Sequence, residues 1–175
     1  MTVTKDLGRA VAHAPAGSWN AAGQADQVTL AFDDRHRRRI RLDTDGGNAV
    51  LLDLPRAVAL ADGDGLELES GGWIRVAAAP EAVMEVKASS PHHLLRLAWH
   101  IGNRHLPAQI SEGAILLRPD HVIADMLRGL GATVTETVLP FQPEGGAYDH
   151  GHAHSHDHAH DHDHDHRHGH SHHHG

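Results

Sequence analysis

The last 26 residues of this 175-residue chain cannot supply a hydrophobic core, and this limits where the chain can fold. From residue 150 onward every even-numbered position is histidine, and one odd position adds another. Only Asp, Ala, Ser, Gly and Arg stand between them, so burial could not offset the entropy lost on ordering. We therefore expect residues 148–175 to be a tail that is disordered without metal, and the fold to precede it.

The composition favours small domains with aliphatic cores. Aromatic residues make up 3% of the chain, so Leu, Val, Ile and Ala must fill any core. Cysteine is absent, which excludes disulfides, thiolate zinc sites and cysteine catalysis, and fits a reducing cytosol. The formal net charge of −8 argues against nucleic acid as a partner. No apolar run reaches the roughly 18 residues of a membrane span, and no signal peptide is evident. We expect a cytoplasmic protein with no membrane partner.

Residues 1–80 have the pattern of a small all-β domain. The first 27 residues are rich in Ala and Gly and are expected to be a loose lead-in. Beyond them, short apolar or alternating stretches are separated by Asp-Gly and Gly-Gly turns about every 8–12 residues. The first two predicted strands are expected to form a hairpin. The predicted strands are Val28–Phe32, Ile40–Leu42, Ala49–Leu52, Leu66–Leu68 and Trp73–Val76.

Residues 81–147 change to a mixed pattern. Ser90 and Pro91 can start a helix that ends at Gly102-Asn103, with Leu94, Leu97, Ala98 and Ile101 inward. Asp120 can cap a second helix that ends at Gly131, with Val122, Ile123, Met126, Leu127 and Leu130 inward. Strands are predicted at Val83–Val86, Ala108–Ile110, Ala114–Leu117 and Thr133–Val138. This β-α-β-β-α-β order predicts a ferredoxin-like domain and an α+β chain overall.

The histidine repeat predicts metal binding. Neutral imidazole suits Zn²⁺, Cu²⁺ and Ni²⁺, and a flexible chain can bring several onto one ion, with low selectivity. Interleaved aspartates add oxygen ligands and negative charge. An artificial tag or a charged solubility tail are the alternatives, but tags are usually uninterrupted. The predicted tail ligands are His150, His152, His154, His156, His158, His160, His162, His164, His166, His168, His170, His172, His173 and His174.

Seven further histidines precede the tail. His13 and His36 lie in polar sequence, and His92 and His93 lie in the first turn of a predicted helix, so all four are expected to be solvated. His93 and His100 share a helix face but lie roughly 10 Å apart along the axis, too far for one ion.

His105 and His121 are the surface candidates. His105 follows a glycine-terminated helix where the chain turns before Pro107. A two-fold dimer would turn this single ligand into two. His121 lies at a helix N-terminus, where the dipole favours the neutral form that can ligate.

Signatures of enzymes are missing. The chain has no H-E-x-x-H, P-loop, G-x-S-x-G or G-x-G-x-x-G pattern. A zinc hydrolase would need a carboxylate base beside clustered histidines, and the nearest carboxylates, Glu112 and Asp120, are already explained by a turn and a cap. The basic run at residues 35–41 is interpreted as a solvated hairpin edge, with a docking patch for an acidic protein as the alternative and nucleic acid last.

Three stretches resemble the UreE family of urease accessory proteins, which are nickel metallochaperones. These are "LAWHIGNRHLPAQI", "LRPDHVIADMLRGLGATV" and "PFQPEGGAY", followed by a His-rich end. Residues 33–66 also look like the family's N-terminal β domain. The resemblance covers about residues 17–148. It implies a β domain like a chaperone peptide-binding domain, then a ferredoxin-like domain that forms a homodimer with metal at the two-fold.

The resemblance also implies roles for single residues. His105 of the GNRH motif would be the central ligand, one from each protomer, and tail histidines would complete or supply the site. His100 would be peripheral and His121 an accessory ligand. Some members have a His-x-His pair there, but the first position here is Pro119. The partners implied are an accessory GTPase and the urease apoprotein.

The predicted function is therefore that of a non-enzymatic nickel carrier, in which Zn²⁺ or Cu²⁺ can also bind. The alternative is a general divalent-metal storage or buffering protein whose folded part is only a scaffold. That alternative predicts many equivalent sites and little preference for nickel.

Overall fold

The computed structural model describes residues 4–145, in which ten strands form two sheets and two helices cover one of them. The strands are β1 (Asp6–Ala14), β2 (Gln24–Leu30), β3 (His36–Asp43), β4 (Ala49–Ala59), β5 (Gly65–Leu68), β6 (Trp73–Ala78), β7 (Pro80–Lys87), β8 (Ala108–Ser111), β9 (Ala114–Leu117) and β10 (Thr133–Pro140). The helices are α1 (Pro91–Gly102) and α2 (His121–Gly129).

The first sheet has six strands in the order β2-β6-β5-β1-β4-β3. Two tight hairpins, β3–β4 and β5–β6, are antiparallel, whereas β1 pairs with β4 and β2 with β6 in parallel. The sheet curls: Asp45, just after β3, donates its backbone N–H to Gln27 of β2 at the opposite edge (2.7 Å). The curl encloses an aliphatic core that includes Leu52, Leu66 and Ile74, all fully buried.

The prediction of a loose lead-in before residue 28 is wrong. β1 occupies an interior position between β5 and β4, and Ala10 at its centre is fully buried. Its segment, DLGRAVAHA, has little β propensity, so pairing with distant strands stabilises it where local preference does not. The predicted hairpin between β2 and β3 is also wrong, because these strands form the two opposite edges of the sheet.

The second sheet has four strands in the order β10-β7-β9-β8, and every neighbouring pair is antiparallel. Its elements follow one another as β7-α1-β8-β9-α2-β10, the order that the sequence predicts. Register places Met84, Val86, Ile115 and Leu117 on one face. These residues pack with Leu97, Ile101 and Leu127 of the two helices, so this face holds the second core.

The predicted helix ends are confirmed. The Ser90 side chain accepts a hydrogen bond from the His93 N–H, and Asp120 accepts from the N–H groups of Val122 and Ile123. Gly131 follows α2 with a φ of 89°, the left-handed conformation expected of a glycine after a helix. Val122 is not inward as predicted but 61% exposed, because the buried face of α2 runs through Ala124 and Leu127.

In the part of the chain that the structure describes, no helix is long and apolar enough to span a bilayer. The predicted tail, residues 148–175, lies outside the described residues, and the predicted boundaries at 80/81 and 147/148 stay predictions.

Candidate functional site

His105 lies on an exposed turn directly after α1. The Arg104 N–H donates to Ile101 O and the His105 N–H donates to Gly102 O, both at 3.0 Å. These bonds extend the helix end by one tight turn before Leu106 and Pro107 lead into β8. The imidazole of His105 is thereby presented at the surface, at the C-terminal end of a rigid helix.

The backbone of His105 has a φ of 54°, and within residues 4–145 it is the one non-glycine residue with a positive φ. The left-handed conformation usually follows a helix at Gly or Asn. Here Gly102 and Asn103 keep ordinary φ values, and the strained position falls on a histidine. Such a residue is uncommon and persists where the surroundings impose it, which makes His105 a candidate for a functional role.

An exposed apolar face lies on the same helix. Leu95 is 69% exposed and Trp99 65% exposed, one helical turn apart. They line a shallow groove with His92, Arg96 and His100, and the Trp99 and His100 rings meet edge to face at 4.9 Å. Large exposed apolar side chains of this kind commonly mark an interaction surface. The face and His105 therefore belong to one helix and its immediate continuation.

His121, the other candidate metal ligand among the described residues, is the first residue of α2 and is exposed. It lies beside Asp120, whose carboxylate is engaged by the helix N–H groups, and Val122, which is exposed. Within residues 4–145, no group of three or more His, Asp or Glu side chains is placed to hold a metal ion. The structure therefore does not assemble His105 and His121 into a single site with neighbouring ligands. The fourteen tail histidines lie outside the described residues.

The comparison with known families bears on both halves of the chain. The UreE urease accessory protein N-terminal domain matches residues 3–79, and the C-terminal domain of the same protein matches residues 81–174. The chain belongs to the UreE family.

Curated UreE relatives are similar over most of this chain. The urease accessory protein UreE of Chelativorans sp. (strain BNC1) is 58% identical over 123 residues, which are 70% of this chain and 78% of the relative. That of Bradyrhizobium sp. (strain BTAi1) is 55% identical over 130 residues, 74% of this chain and 63% of the relative. That of Rhodopseudomonas palustris (strain HaA2) is 56% identical over 124 residues, 71% of this chain and 58% of the relative. The chain thus spans less than two thirds of the length of the last two UreE proteins.

Two histidines outside the GNRH motif are packed into the fold, and the prediction that they are solvated is wrong. His93 is 9% exposed, accepts the Ser89 N–H at Nδ1 (3.1 Å) and donates from Nε2 to Leu130 O (2.9 Å). His13 contacts the buried Asp64 carboxylate through Nε2 at 2.6 Å. His36 and His92 are exposed as predicted. Sequence spacing offered a signal for His93, which is one position before the inward Leu94 and four before Leu97.

The basic run is not a uniformly solvated edge of this UreE chain. Arg37 pairs with Asp34 at 2.7 Å, and Arg39 lies 3.7 Å from Asp53, whereas Arg41 is exposed. Arg35 is 2% exposed and donates hydrogen bonds to Phe141 O and Gln142 Oε1, far along the chain. Burial lowers the pKa of its guanidinium, while Glu81, Asp62 and Asp64 act in the opposite direction. No local pattern distinguishes Arg35 from its neighbours, so the sequence missed it.

Proposed function

We propose that this chain is a nickel metallochaperone for urease maturation, an accessory protein and not an enzyme. Membership of the UreE family supports the accessory role. The observation that carries the metal site is His105, an exposed histidine held in a strained left-handed conformation at the end of α1. Glycine would fill this position at lower cost, so the histidine found there supports a role for the imidazole.

The metal site is proposed to lie at the two-fold axis of a homodimer. One imidazole is too few for a tightly held Ni²⁺, and a symmetric interface would supply the second from the partner's copy of the same residue. The exposed Leu95 and Trp99 on the preceding helix support an interface on this side. His121 is the accessory ligand of the proposal. The second sheet and its helices are assigned to the ferredoxin-like class, because the strand order 4-1-3-2 of that arrangement corresponds to β10-β7-β9-β8.

The tail is proposed to recruit and store ions and to feed them to the His105 pair, in the cytoplasm. Its alternating histidines and aspartates suit divalent cations with little selectivity, so Zn²⁺ and Cu²⁺ can also bind. Delivery would then pass to the accessory GTPase and the urease apoprotein. Protonation of an imidazole removes the lone pair that binds metal, so affinity should fall as the pH falls and binding should release protons.

The decisive experiment is a calorimetric nickel titration of the full chain, of His105→Ala, and of a chain truncated after Tyr148. The exposed His36→Ala serves as the matched control, since it also removes one surface imidazole. We expect His105→Ala to weaken the tightest class of sites at least about ten-fold, or 1.4 kcal/mol. Truncation should lower the number of ions bound and weaken the tightest class of sites without abolishing it. If truncation abolishes all tight binding while His105→Ala changes nothing, the interface site is not the functional core.

The alternative function, general metal buffering, makes a different prediction in cells. At limiting nickel, a carrier with His105→Ala should support less urease activation than the unchanged chain. A buffer whose folded part is only a scaffold should leave activation unimpaired by this substitution. Urease activity per urease protein, compared between the two strains and the His36→Ala strain, separates the two functions.

A further inference from the structure

A short segment after the last strand crosses the face of the second sheet that the helices leave open. β10 and β8 are the two edges of this sheet, and residues 141–144 run from one edge to the other. Phe141 is fully buried against Val83 of β7 and Leu116 of β9. These side chains lie on the face opposite to Met84 and Ile115, as the register shows. We call residues 141–144 the crossing segment.

The far end of the crossing segment is fixed to the edge strand β8. The Gln142 N–H donates to the Gln109 side chain (2.8 Å), and the Glu144 N–H donates to Ala108 O (2.8 Å). The Glu144 carboxylate in turn accepts the Ile110 N–H (3.2 Å). The chain therefore leaves the folded unit at the start of β8, and Ala108 is only three residues from His105.

The near end is fixed by a buried charge, Arg35, directly before β3. Besides Phe141 O and Gln142 Oε1, the Arg35 guanidinium donates to Leu60 O (3.4 Å) and lies 5.6 Å from the centre of the Phe32 ring. A guanidinium stays protonated, so a buried one requires acceptors, and two of those used here belong to the crossing segment. Gln142 Oε1 also accepts the Asp62 N–H (3.1 Å). Arg35 thus joins the segment to the first sheet.

The position of the crossing segment sets how far the tail must reach. His150 is six residues beyond Glu144, and six residues can span at most about 22 Å. Ala108 and His105 are three residues apart and therefore at most roughly 11 Å apart. The reach from Glu144 to His150 exceeds that separation. If the segment detached, the tether would start at Pro140, ten residues before His150. It would also start on β10, three strand spacings or about 14 Å from β8. A longer and displaced tether lowers the effective concentration of the tethered ligand.

We propose that Arg35 is a positioning residue for nickel transfer: by holding the crossing segment, it fixes the point on β8 at which the chain leaves the fold and from which the sequence continues into the His-rich tail, three residues along the chain from His105. This inference rests on the proposed function, since it concerns how tail ions reach the His105 site. The bound metal is a divalent cation with imidazole preference, and nickel alone is the probe. Arg35 is not a ligand in this proposal.

The first test measures position without metal. The natural chain has no cysteine, so Gly145→Cys accepts a single nitroxide label. In the unchanged background we expect the label to broaden the amide signals of β8, Ala108–Ser111, more than those of β10. Arg35→Met should reduce this β8-to-β10 ratio at least two-fold, while the exposed Arg41→Met leaves it unchanged. An unchanged ratio in folded Arg35→Met overturns the proposal. If Arg35→Met does not fold, Gln142→Ala, which removes one acceptor and leaves the arginine, is judged by the same ratio.

The second test measures how strongly the tail supports nickel binding at the tightest site. Arg35→Met should weaken the tightest nickel binding about two- to five-fold in the full chain, as the longer tether predicts. It should have no effect in the chain truncated after Tyr148. An equal loss in both chains would mean a merely structural role, and no loss in either would also overturn the proposal. A failure of the proposed function is distinguishable, because His105→Ala would then leave nickel binding unchanged whatever the label shows.

Discussion

His93 offers the sharpest test of which histidines in this chain belong to the fold. Its ring joins the start of α1 to the turn after α2 through the Ser89 N–H and Leu130 O. The geometry requires a neutral ring with the proton on Nε2, because Nδ1 faces a backbone donor. His93→Leu replaces the imidazole by an apolar side chain of similar volume and removes these hydrogen bonds, together with the contact of Ser89 Oγ with Nδ1 (3.0 Å). His92→Leu, at the neighbouring exposed position, is the matched control.

The magnitude follows from the hydrogen bonds lost at the two ring nitrogens. A typical intramolecular hydrogen bond contributes about 0.5–1.5 kcal/mol net, so the free energy of unfolding should fall by about 1–3 kcal/mol in His93→Leu. His93→Gln can still donate its amide N–H to Leu130 O and should recover roughly half of that loss. His92→Leu should change the free energy by less than about 0.5 kcal/mol, as is usual for surface positions. For a chain of this size each kcal/mol lowers Tm by about 2–4 °C.

Urea denaturation of the full chain, followed by far-UV circular dichroism with a chelator present, measures these differences. Nickel stoichiometry, measured in parallel by calorimetry, should be the same in all three variants. Equal stability of His93→Leu and His92→Leu would refute the structural role. A loss of bound nickel without a loss of stability in His93→Leu would identify a ligand instead of a packed histidine.

Two further substitutions test local chemistry elsewhere. The free energy of unfolding of His105→Gly should exceed that of His105→Ala by about 1 kcal/mol, because glycine adopts the left-handed φ of 54° without strain. Both variants should lose the tightest nickel site. Equal urea midpoints of the two variants would contradict backbone strain at this position. Asp26 accepts hydrogen bonds from Thr44, Asn48 and the N–H groups of Gln27 and Gly46. Burial, the largest single influence, raises the pKa of Asp26, but these bonds together lower it below its ordinary value. A carboxyl with a lowered folded-state pKa stabilises the fold above its unfolded pKa of about 3.9, and this is lost as the pH falls through the folded pKa. Asp26→Asn should therefore flatten the decline of unfolding free energy below about pH 4, and an unchanged decline measured by urea titration would contradict this.

Much of the second sheet could be predicted from the sequence because its signals are local. Ser90, Pro91, Asp120 and Gly131 act within one helical turn of their own position, and the structure confirms each. The strands after Val28 were equally visible, since turn residues separate short apolar stretches. The prediction failed for β1, whose Ala-rich segment is stabilised by two distant strands. It also failed for the β2–β3 pairing, since sequence neighbours were assumed to be neighbours in the sheet.

The candidate site divides in the same way. The sequence identified His105 as a turn residue after a glycine-ended helix, but its left-handed backbone is visible only in the structure. The left-handed conformation falls on His105 and not on Gly102 or Asn103, because the hydrogen bonds of the Arg104 and His105 N–H groups continue the helix end by one tight turn. The sequence likewise could not separate Arg35 from the four other arginines of its run.

By itself, then, the sequence determined the family, the helix ends and most strands, and it supplied the candidate metal ligands, because caps, turns and ligand chemistry depend on residues close together in the chain. Tertiary structure alone decided which histidines are packed and which are presented, and that one arginine of a basic run is buried. It also decided that the crossing segment ends at β8, where Glu144 pairs with Ala108. Each of these features depends on contacts with residues tens of positions away in the chain. The local sequence pattern does not specify which distant residues make those contacts.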